Sequence, residues 1–342
     1  MKIIVDAMGG DNAPAEIVKG TVEAVREYGI EAILVGRREQ VEACLNSAGA
    51  GDVSDRISIV NATEVVEMED DPTGVLRSKK DSSMSVALTM LKNDEGDACI
   101  SAGSTGALLA GATLIVKRIR GIRRAAMAPV MPNGGKGAML IDCGANTDCT
   151  PEYLLQFAYM GSFYCRNIMG CESPRVGLLN NGTVSGKGDA LHKVAYKLLK
   201  AAGDDGHINF IGNVEGKEVL LGGVDVIVSD GFTGNIMLKS IEGSAKFLLT
   251  NLKDIMTSSL SSKLAALVLK KKLGVLKTMM DPSEVGGTAM LGIKKPVIKA
   301  HGSSDARAIK NAIHQAINVV NANVPALIEE NIELMTIGKE YA

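Results

Sequence analysis

Short apolar runs alternate with stretches of helical periodicity along almost the whole chain. Lys2 to Asp6 predicts a buried strand. Glu16 to Tyr28 predicts a helix, with Pro14 at its entry, where a missing backbone N–H does no harm. Ala32 to Val35 predicts a second strand, ended by Gly36 and followed by a helix over Glu39 to Ser47, and Ile57 to Asn61 predicts a third strand. A charged loop holding Asp71-Pro72-Thr73-Gly74 leads to a helix over Ser82 to Leu91. Ala98 to Ile100 reads as the end of a buried strand, with an apolar helix from Ala107 to about Lys117. Ala125 to Val130 and Ala138 to Asp142 predict strands joined by the hairpin-like turn Pro132-Asn133-Gly134-Gly135. Then come a helix over Pro151 to Ile168, a strand over Val176 to Leu179, a helix over Ala190 to Ala202, and strands at Asn209 to Gly212 and Val224 to Val228. A long helix starts at Ile236, Pro296 to Ala300 predicts a last strand, and Ala306 to Val324 a last helix.

Strands that alternate with helices predict an α/β fold, a mostly parallel sheet with helices on both faces. The expected organisation is a single α/β unit over residues 1–342, as one body or as two lobes around a cleft, with a protruding basic apolar helical segment at 250–280. In such sheets ligands gather at the carboxyl ends of the strands.

Those strand ends carry small polar residues with unusual regularity. They read Asp6-Ala7-Met8-Gly9-Gly10-Asp11-Asn12, Ser101-Ala102-Gly103-Ser104-Thr105-Gly106-Ala107, Asp142-Cys143-Gly144-Ala145-Asn146, Asn180-Asn181-Gly182-Thr183, Ser229-Asp230-Gly231-Phe232-Thr233-Gly234-Asn235 and His301-Gly302-Ser303-Ser304-Asp305. Glycine lets the backbone approach an oxyanion and hydroxyls donate to it. One such loop is as well explained by a tight turn; several on one edge would make a site for a small anion.

Other chemistries lack their signatures. Gly182-Thr183-Val184-Ser185-Gly186-Lys187-Gly188 misses the phosphate-loop pattern, with three residues between its glycines and Gly188 where a Ser or Thr would hold magnesium. No GxGxxG opens the first βα unit and no GxSxG occurs. Of the histidines, His192, His207 and His314 are scattered, and only His301 stands at a strand end. No metal-ligand spacing is present, so neither metal nor cofactor is expected. A net charge of -2 supplies no field for nucleic acid, and 3% aromatics with no tryptophan leave little for stacking on bases. None of the six cysteines forms a CxxC pair, which points to a reducing compartment without a disulfide framework. The N-terminus runs straight into a strand, so no signal peptide is expected, and no run of 18 apolar residues could span a bilayer. The cations Lys117, Arg118, Arg120, Arg123 and Arg124 read either as a solvated helix end or as a rim for a phosphate-bearing partner. Anion binding without nucleotide machinery leaves inorganic phosphate itself as a nucleophile, positioned against an activated acyl group whose carbonyl oxygen needs donors as it becomes an oxyanion.

Taken together, Asp6-Ala7-Met8-Gly9-Gly10-Asp11, Ser101 to Ala107, Gly177-Leu178-Leu179-Asn180 and Asp230 to Asn235 closely resemble the bacterial phosphate acyltransferases, the PlsX family, over nearly the whole chain. The resemblance implies a fold similar to the isocitrate/isopropylmalate dehydrogenase and phosphotransacetylase group. It implies transfer of a fatty acyl group from acyl carrier protein to inorganic phosphate, giving acyl-phosphate for phospholipid synthesis. It further implies a cytoplasmic homodimer working at the anionic inner face of the cell membrane, with a glycerol-3-phosphate acyltransferase downstream. On this reading Lys187, Asp230 and Asn235 are catalytic: Lys187 neutralises phosphate or the oxyanion and Asp230 orients it. Gly103, Ser104, Thr105, Gly106, Asn146, Asn181, Thr233, Gly234 and His301 bind phosphate or the acyl group, while Asp6 and Asp11 are either ligands or structural caps.

Between Ile255 and Met280 the chain has five lysines, Lys263, Lys270, Lys271, Lys272 and Lys277, and no acid. Leu260, Leu264, Leu267 and Val268 form an apolar stripe beside Lys263 and Lys270, suited either to an anionic lipid surface or to a subunit interface. Two rivals remain at this level. One is a decarboxylating dehydrogenase of similar fold, which lacks its dinucleotide fingerprint. The other is a non-catalytic phosphate- or carrier-protein-binding module associated with the membrane.

Overall fold

The computed structural model describes residues 1–279 and 286–337. In chain order the first half forms β1 (Lys2–Asp6), α1 (Ala15–Tyr28), β2 (Glu31–Gly36), α2 (Arg38–Ser47), β3 (Ile57–Asn61), α3 (Val75–Ser78), α4 (Ser83–Lys92), β4 (Ala98–Ser101), α5 (Thr105–Gly111) and β5 (Ala126–Ala128). There follow β6 (Val130–Met131), β7 (Ala138–Ile141), α6 (Pro151–Asn167), β8 (Arg175–Leu179), α7 (Ala190–Asp204), β9 (Asn209–Val214), β10 (Val226–Val228), α8 (Gly231–Thr257) and α9 (Leu260–Met279). The chain then returns through β11 (Thr288–Leu291), β12 (Val297–Lys299), α10 (Ala306–Asn321) and α11 (Val324–Glu330).

The strands make two sheets, of order β3-β2-β1-β4-β12-β11-β5 and β6-β7-β10-β8-β9. The mostly parallel character expected from the alternation is borne out. β1, β2, β3, β4 and β12 run parallel in the first sheet, and β7, β10, β8 and β9 in the second. One flank of each sheet is antiparallel, β12–β11–β5 in the first and β6–β7 in the second. One apolar cluster runs through both sheets, joining Ile3, Ile100 and Ala126 to Met139, Ile141 and Val226.

The second sheet arises at a proline. The strand expected over Ala125 to Val130 is two short ones separated by Pro129. Proline has no N–H for a ladder and marks an edge or a break. Before it, β5 pairs with β11; after it, β6 pairs with β7 across the expected hairpin turn. Three helix boundaries also differ from expectation. α8 begins at Gly231, well before Ile236, because the Asp230 side chain accepts from the Thr233 N–H at 2.8 Å and caps the helix there. α5 begins at Thr105, and its continuation Ala112–Lys117 widens into a π-helix that ends with Lys117 at φ 77°. The helix predicted over Ala306 to Val324 is broken at Asn323, whose φ is 48°, with Pro325 starting the next.

α1 and α10 cover one face of the first sheet, and their contact depends on Gly20. A Cβ at Gly20 would lie 2.4 Å from the Ala306 carbonyl oxygen and 2.7 Å from the Ile309 Cβ. In an open helix, glycine to alanine stabilises by about 1 kcal/mol. Here the sign should reverse, because the added methyl meets backbone and a branched side chain that cannot yield. Gly20→Ala is expected to destabilise by about 1–3 kcal/mol in urea unfolding; a more stable variant would show that the helix pair can spread.

Candidate active site

Three adjacent parallel strands end in a row of polar side chains. Ser101 is the register partner of Lys299, and the Val5–Ile100 pairing sets Asp6 beside Ser101. Asp6 is buried and accepts from the Ser101 hydroxyl at 2.6 Å and from the Met8 N–H at 3.3 Å. Burial, only partly offset by those bonds, holds its carboxyl above the ordinary range. Ser101 Oγ in turn accepts from the Gly103 N–H at 3.0 Å. Lys299 is buried, and its ammonium donates to the carbonyls of Ala102 and Ala300. Burial pushes this amine down to about 8, against the pull of Asp6 and Asp11.

The three loops that follow are knitted together by close backbone approach. A Cβ on Gly9 would lie 2.6 Å from the Gly103 nitrogen, so only glycine lets these loops meet. Asp11 N–H donates to Gly302 O at 2.8 Å, and the Asn12 amide donates to the carbonyls of Ser303 and Ser304, each at 3.2 Å. Gly103, Ser104, Thr105, Gly106 and His301 all belong to this edge. Ser104 is buried at the start of α5 and its side chain makes no capping hydrogen bond. Gly106 lies under Pro72, and His301 is exposed, its Nδ1 2.9 Å from Ser303 Oγ.

The second cluster sits at the carboxyl edge of the other sheet, where β7, β10 and β8 are neighbours. Asp142 is fully buried and receives four N–H donors. Oδ1 accepts from Met127 N at 2.8 Å and Cys143 N at 2.6 Å, and Oδ2 from Asn146 N at 2.7 Å and Asn146 Nδ2 at 3.0 Å. Burial still holds its carboxyl above the usual range. Gly231 N–H donates to Asn146 O at 2.7 Å, and a Cβ on Gly234 would lie 2.1 Å from Asp142 O, so the start of α8 is pressed onto the β7 loop. Asp230, Thr233, Gly234 and Asn235 are thereby brought against Asp142 to Asn146. The Asn146 amide donates to Ala125 O and to Asp142, which makes it a bracket of this loop.

Lys187 and Asn181 lie on the loop after β8, both exposed. Asn180 ties that loop down, donating to Lys187 O at 3.3 Å and Asn213 Oδ1 at 3.1 Å. Among the described residues Asp230 and Lys187 form no ion pair, and Asp230 is engaged as the cap of α8. The basic stretch is partly satisfied within the protein. Arg123 pairs with Glu152 at 3.0 Å, Arg118 donates to the Arg123 carbonyl, and Arg124 lies over the Tyr153 ring.

The later turns of α8 and the earlier turns of α9 carry exposed apolar side chains. Leu260, Leu264, Leu267 and Val268 are 81%, 66%, 67% and 84% exposed, with Lys263 and Lys270 exposed between them. The Lys277 side chain and Met280, the far end of the acid-free run, lie outside the described residues.

Two buried groups escaped the sequence reading. Asp142 was visible only as part of a small polar strand end, and Lys299 only as a cation closing the apolar run Pro296 to Ala300. A charge in register with an interior strand face was the signal available in both cases.

Comparison with known proteins agrees with this architecture. Residues 1–327 match a protein-family model described as "Fatty acid synthesis protein". Proteins named phosphate acyltransferase from Bacillus licheniformis and Bacillus subtilis are 48% and 47% identical over 335 residues, covering 97% of this chain and 98% of each relative. Among solved structures, a phosphotransacetylase from Streptococcus pyogenes matches with a TM-score of 0.61 at 19% identity, covering 95% of this chain and 94% of that one. A branched-chain phosphotransacylase from Enterococcus faecalis matches with a TM-score of 0.54 at 14% identity, covering 93% and 98%. At such identities the structural likeness speaks for the fold.

Asp142 organises its loop through backbone donors, so its removal should be felt in stability first. Asp142→Ala leaves the N–H groups of Met127 and Asn146 without their acceptor, while Cys143 N–H keeps the Met127 carbonyl at 3.1 Å. At about 1–3 kcal/mol for each unsatisfied donor, a loss of at least about 2 kcal/mol is expected in urea unfolding. A variant within about 1 kcal/mol of the parent would show that the loop holds itself without the carboxylate.

Proposed function

This chain belongs to the phosphate acyltransferase family, and from that premise we propose that it moves a fatty acyl group from acyl carrier protein to inorganic phosphate by direct attack of phosphate on the thioester. The observation that carries this reading is near-half identity, over almost all of both chains, to proteins named phosphate acyltransferase. A phosphate oxygen forms the new bond to the acyl carbon, the carbon–sulfur bond breaks, and the carrier thiolate leaves and takes up a proton. Phosphate is already ionised near neutral pH, so the protein's task is positioning and charge. Ser104, Thr105 and Thr233 supply hydroxyl and backbone donors, Lys187 a cation, and Asn235 a donor for the oxyanion. Asp230 serves by capping α8 and setting where Thr233 and Asn235 stand.

The thiols support attack by phosphate over an acyl-enzyme. Burial pushes the Cys143 and Cys149 thiols, the two nearest the β7 loop, up to about 12, and it also raises Cys99 and Cys165. A thiol so far from ionisation is a poor nucleophile at neutral pH. Incubation with palmitoyl-acyl carrier protein should release free carrier only when phosphate is present. Slow release that ignores phosphate would instead favour a binding module. Cys143→Ala and Cys149→Ala should keep turnover within about tenfold of the parent, and an acyl-cysteine trapped on the productive path would sink direct attack.

The protein works, on this reading, as a homodimer held peripherally at the anionic face of the cytoplasmic membrane. The exposed stripe Leu260, Leu264, Leu267 and Val268, flanked by lysines and free of acids, is what favours lipid. Among the described residues no helix is long and apolar enough to cross a membrane. Leu264→Glu should weaken co-sedimentation with anionic vesicles and leave turnover of soluble acyl-acyl carrier protein intact. Should it instead break the dimer and abolish turnover with vesicle binding unchanged, the stripe is a subunit interface.

A further inference from the structure

We propose that Lys299 is a positioning residue for the phosphate: it pins the Ser101–Thr105 loop from beneath, through the Ala102 carbonyl, and supplies that loop with positive charge. The inference rests on the phosphate-transfer reading above and assigns a second cation to it, on the opposite sheet from Lys187.

Three observations carry it. First, the ammonium is in the interior, its residue only 7% exposed, yet among the described residues no carboxylate pairs with it. Lysine is almost never fully buried without an opposite charge, because desolvation costs more than a few carbonyl bonds return. Its closest acid by register, Asp6, spends its oxygens on the Ser101 hydroxyl and the Met8 N–H. Second, the ammonium bonds to loop backbone at the sheet edge. The Ala102 carbonyl at 3.3 Å belongs to the Ser101-Ala102-Gly103-Ser104-Thr105 loop, and the Ala300 carbonyl to the loop that carries His301. Two carbonyl bonds leave one of the three ammonium hydrogens over. Third, the same β12–α10 loop holds the Ser304 hydroxyl, buried and without a hydrogen-bond partner among the described residues. Donor capacity is therefore left unused under the loops that close this edge.

Pinning alone would need only neutral donors. A full charge has a use if an anion rests above the loop, since in a dry interior its attraction is screened far less than in water. The charged groups acting on Lys299 are Asp6 on β1 and Asp11 on the loop after it. Asp6 and Asp11 favour the charged amine, while burial favours the neutral one and places the balance at about 8. Below this value the ammonium is charged and phosphate is held; above it the folded protein loses the proton and phosphate binding weakens. Above about pH 8 phosphate is already mostly dianionic, so its own titration does not produce the fall.

The test measures steady-state kinetics with palmitoyl-acyl carrier protein and inorganic phosphate between about pH 7 and about pH 9.5. In the parent, kcat/KM for phosphate should fall above about pH 8. Lys299→Met should raise the phosphate KM about tenfold or more, leave the KM for the acyl donor within about twofold, and lose the alkaline fall. Lys299→Arg should recover part of the phosphate affinity and show no fall either, because guanidinium stays charged. A folded Lys299→Met with the parent's phosphate KM and alkaline limb would overturn the proposal. If that variant does not fold, the parent decides, and a flat profile through pH 8 overturns it equally. A parent with no phosphate-dependent release at all would sink the proposed function instead, which is a different result from normal turnover that ignores Lys299.

Discussion

Two carboxylates that water does not reach, Asp6 and Asp142, dictate how the strand ends of this protein are shaped. Neither has a cation in contact among the described residues, so each is satisfied by N–H and O–H groups from its own loop and from a neighbouring strand. Asp142 pulls the Met127, Cys143 and Asn146 amides around itself, which ties β5 of one sheet to the β7 loop of the other. Asp6 holds Ser101, and Ser101 holds Gly103, so the loop after β4 takes its shape from an acid at the end of β1. Remove the requirement to satisfy these charges and nothing else would draw the loops so tightly over the sheet edges.

Glycine makes that tightness sterically feasible. Gly9 against Gly103 and Gly234 against Asp142 are contacts in which backbone meets backbone without room for a methyl group. The consequence for function is that backbone N–H groups and small hydroxyls stand where larger side chains would otherwise intrude. An oxyanion site built in this way is rigid before its ligand arrives, which is what an attack by a weakly basic nucleophile such as phosphate demands. The fold alone does not select this chemistry, since the same architecture serves proteins of 14% to 19% identity. Near-half identity to phosphate acyltransferases selects it, and the raised thiols agree with a mechanism that asks nothing of cysteine.

The two strand-end clusters divide the candidate site residues between them. Ser104, Thr105 and His301 stand on the first sheet, while Lys187, Asp230, Thr233 and Asn235 stand on the second. One apolar cluster threads both sheets, so the clusters belong to a continuous packed body. α8 links the chemistry to the surface: its first turn is pressed onto the β7 loop, and its far end packs with α9, where the exposed leucines are.

By itself the sequence determined whatever depends on neighbours along the chain. Strand and helix alternation, the hairpin at Pro132 to Gly135, and the glycine and hydroxyl loops at strand ends are local patterns of period and turn chemistry. Tertiary structure alone decided what those patterns are placed beside. That Pro129 hands the chain from one sheet to another and that β11 turns back to separate β12 from β5 both depend on pairings between segments distant in sequence. Lys299 is the sharpest case. As a residue it is an ordinary lysine after an apolar triplet. It becomes a buried charge only because β12 inserts beside β4, almost two hundred residues earlier in the chain, and no local periodicity records which strand will lie next to which.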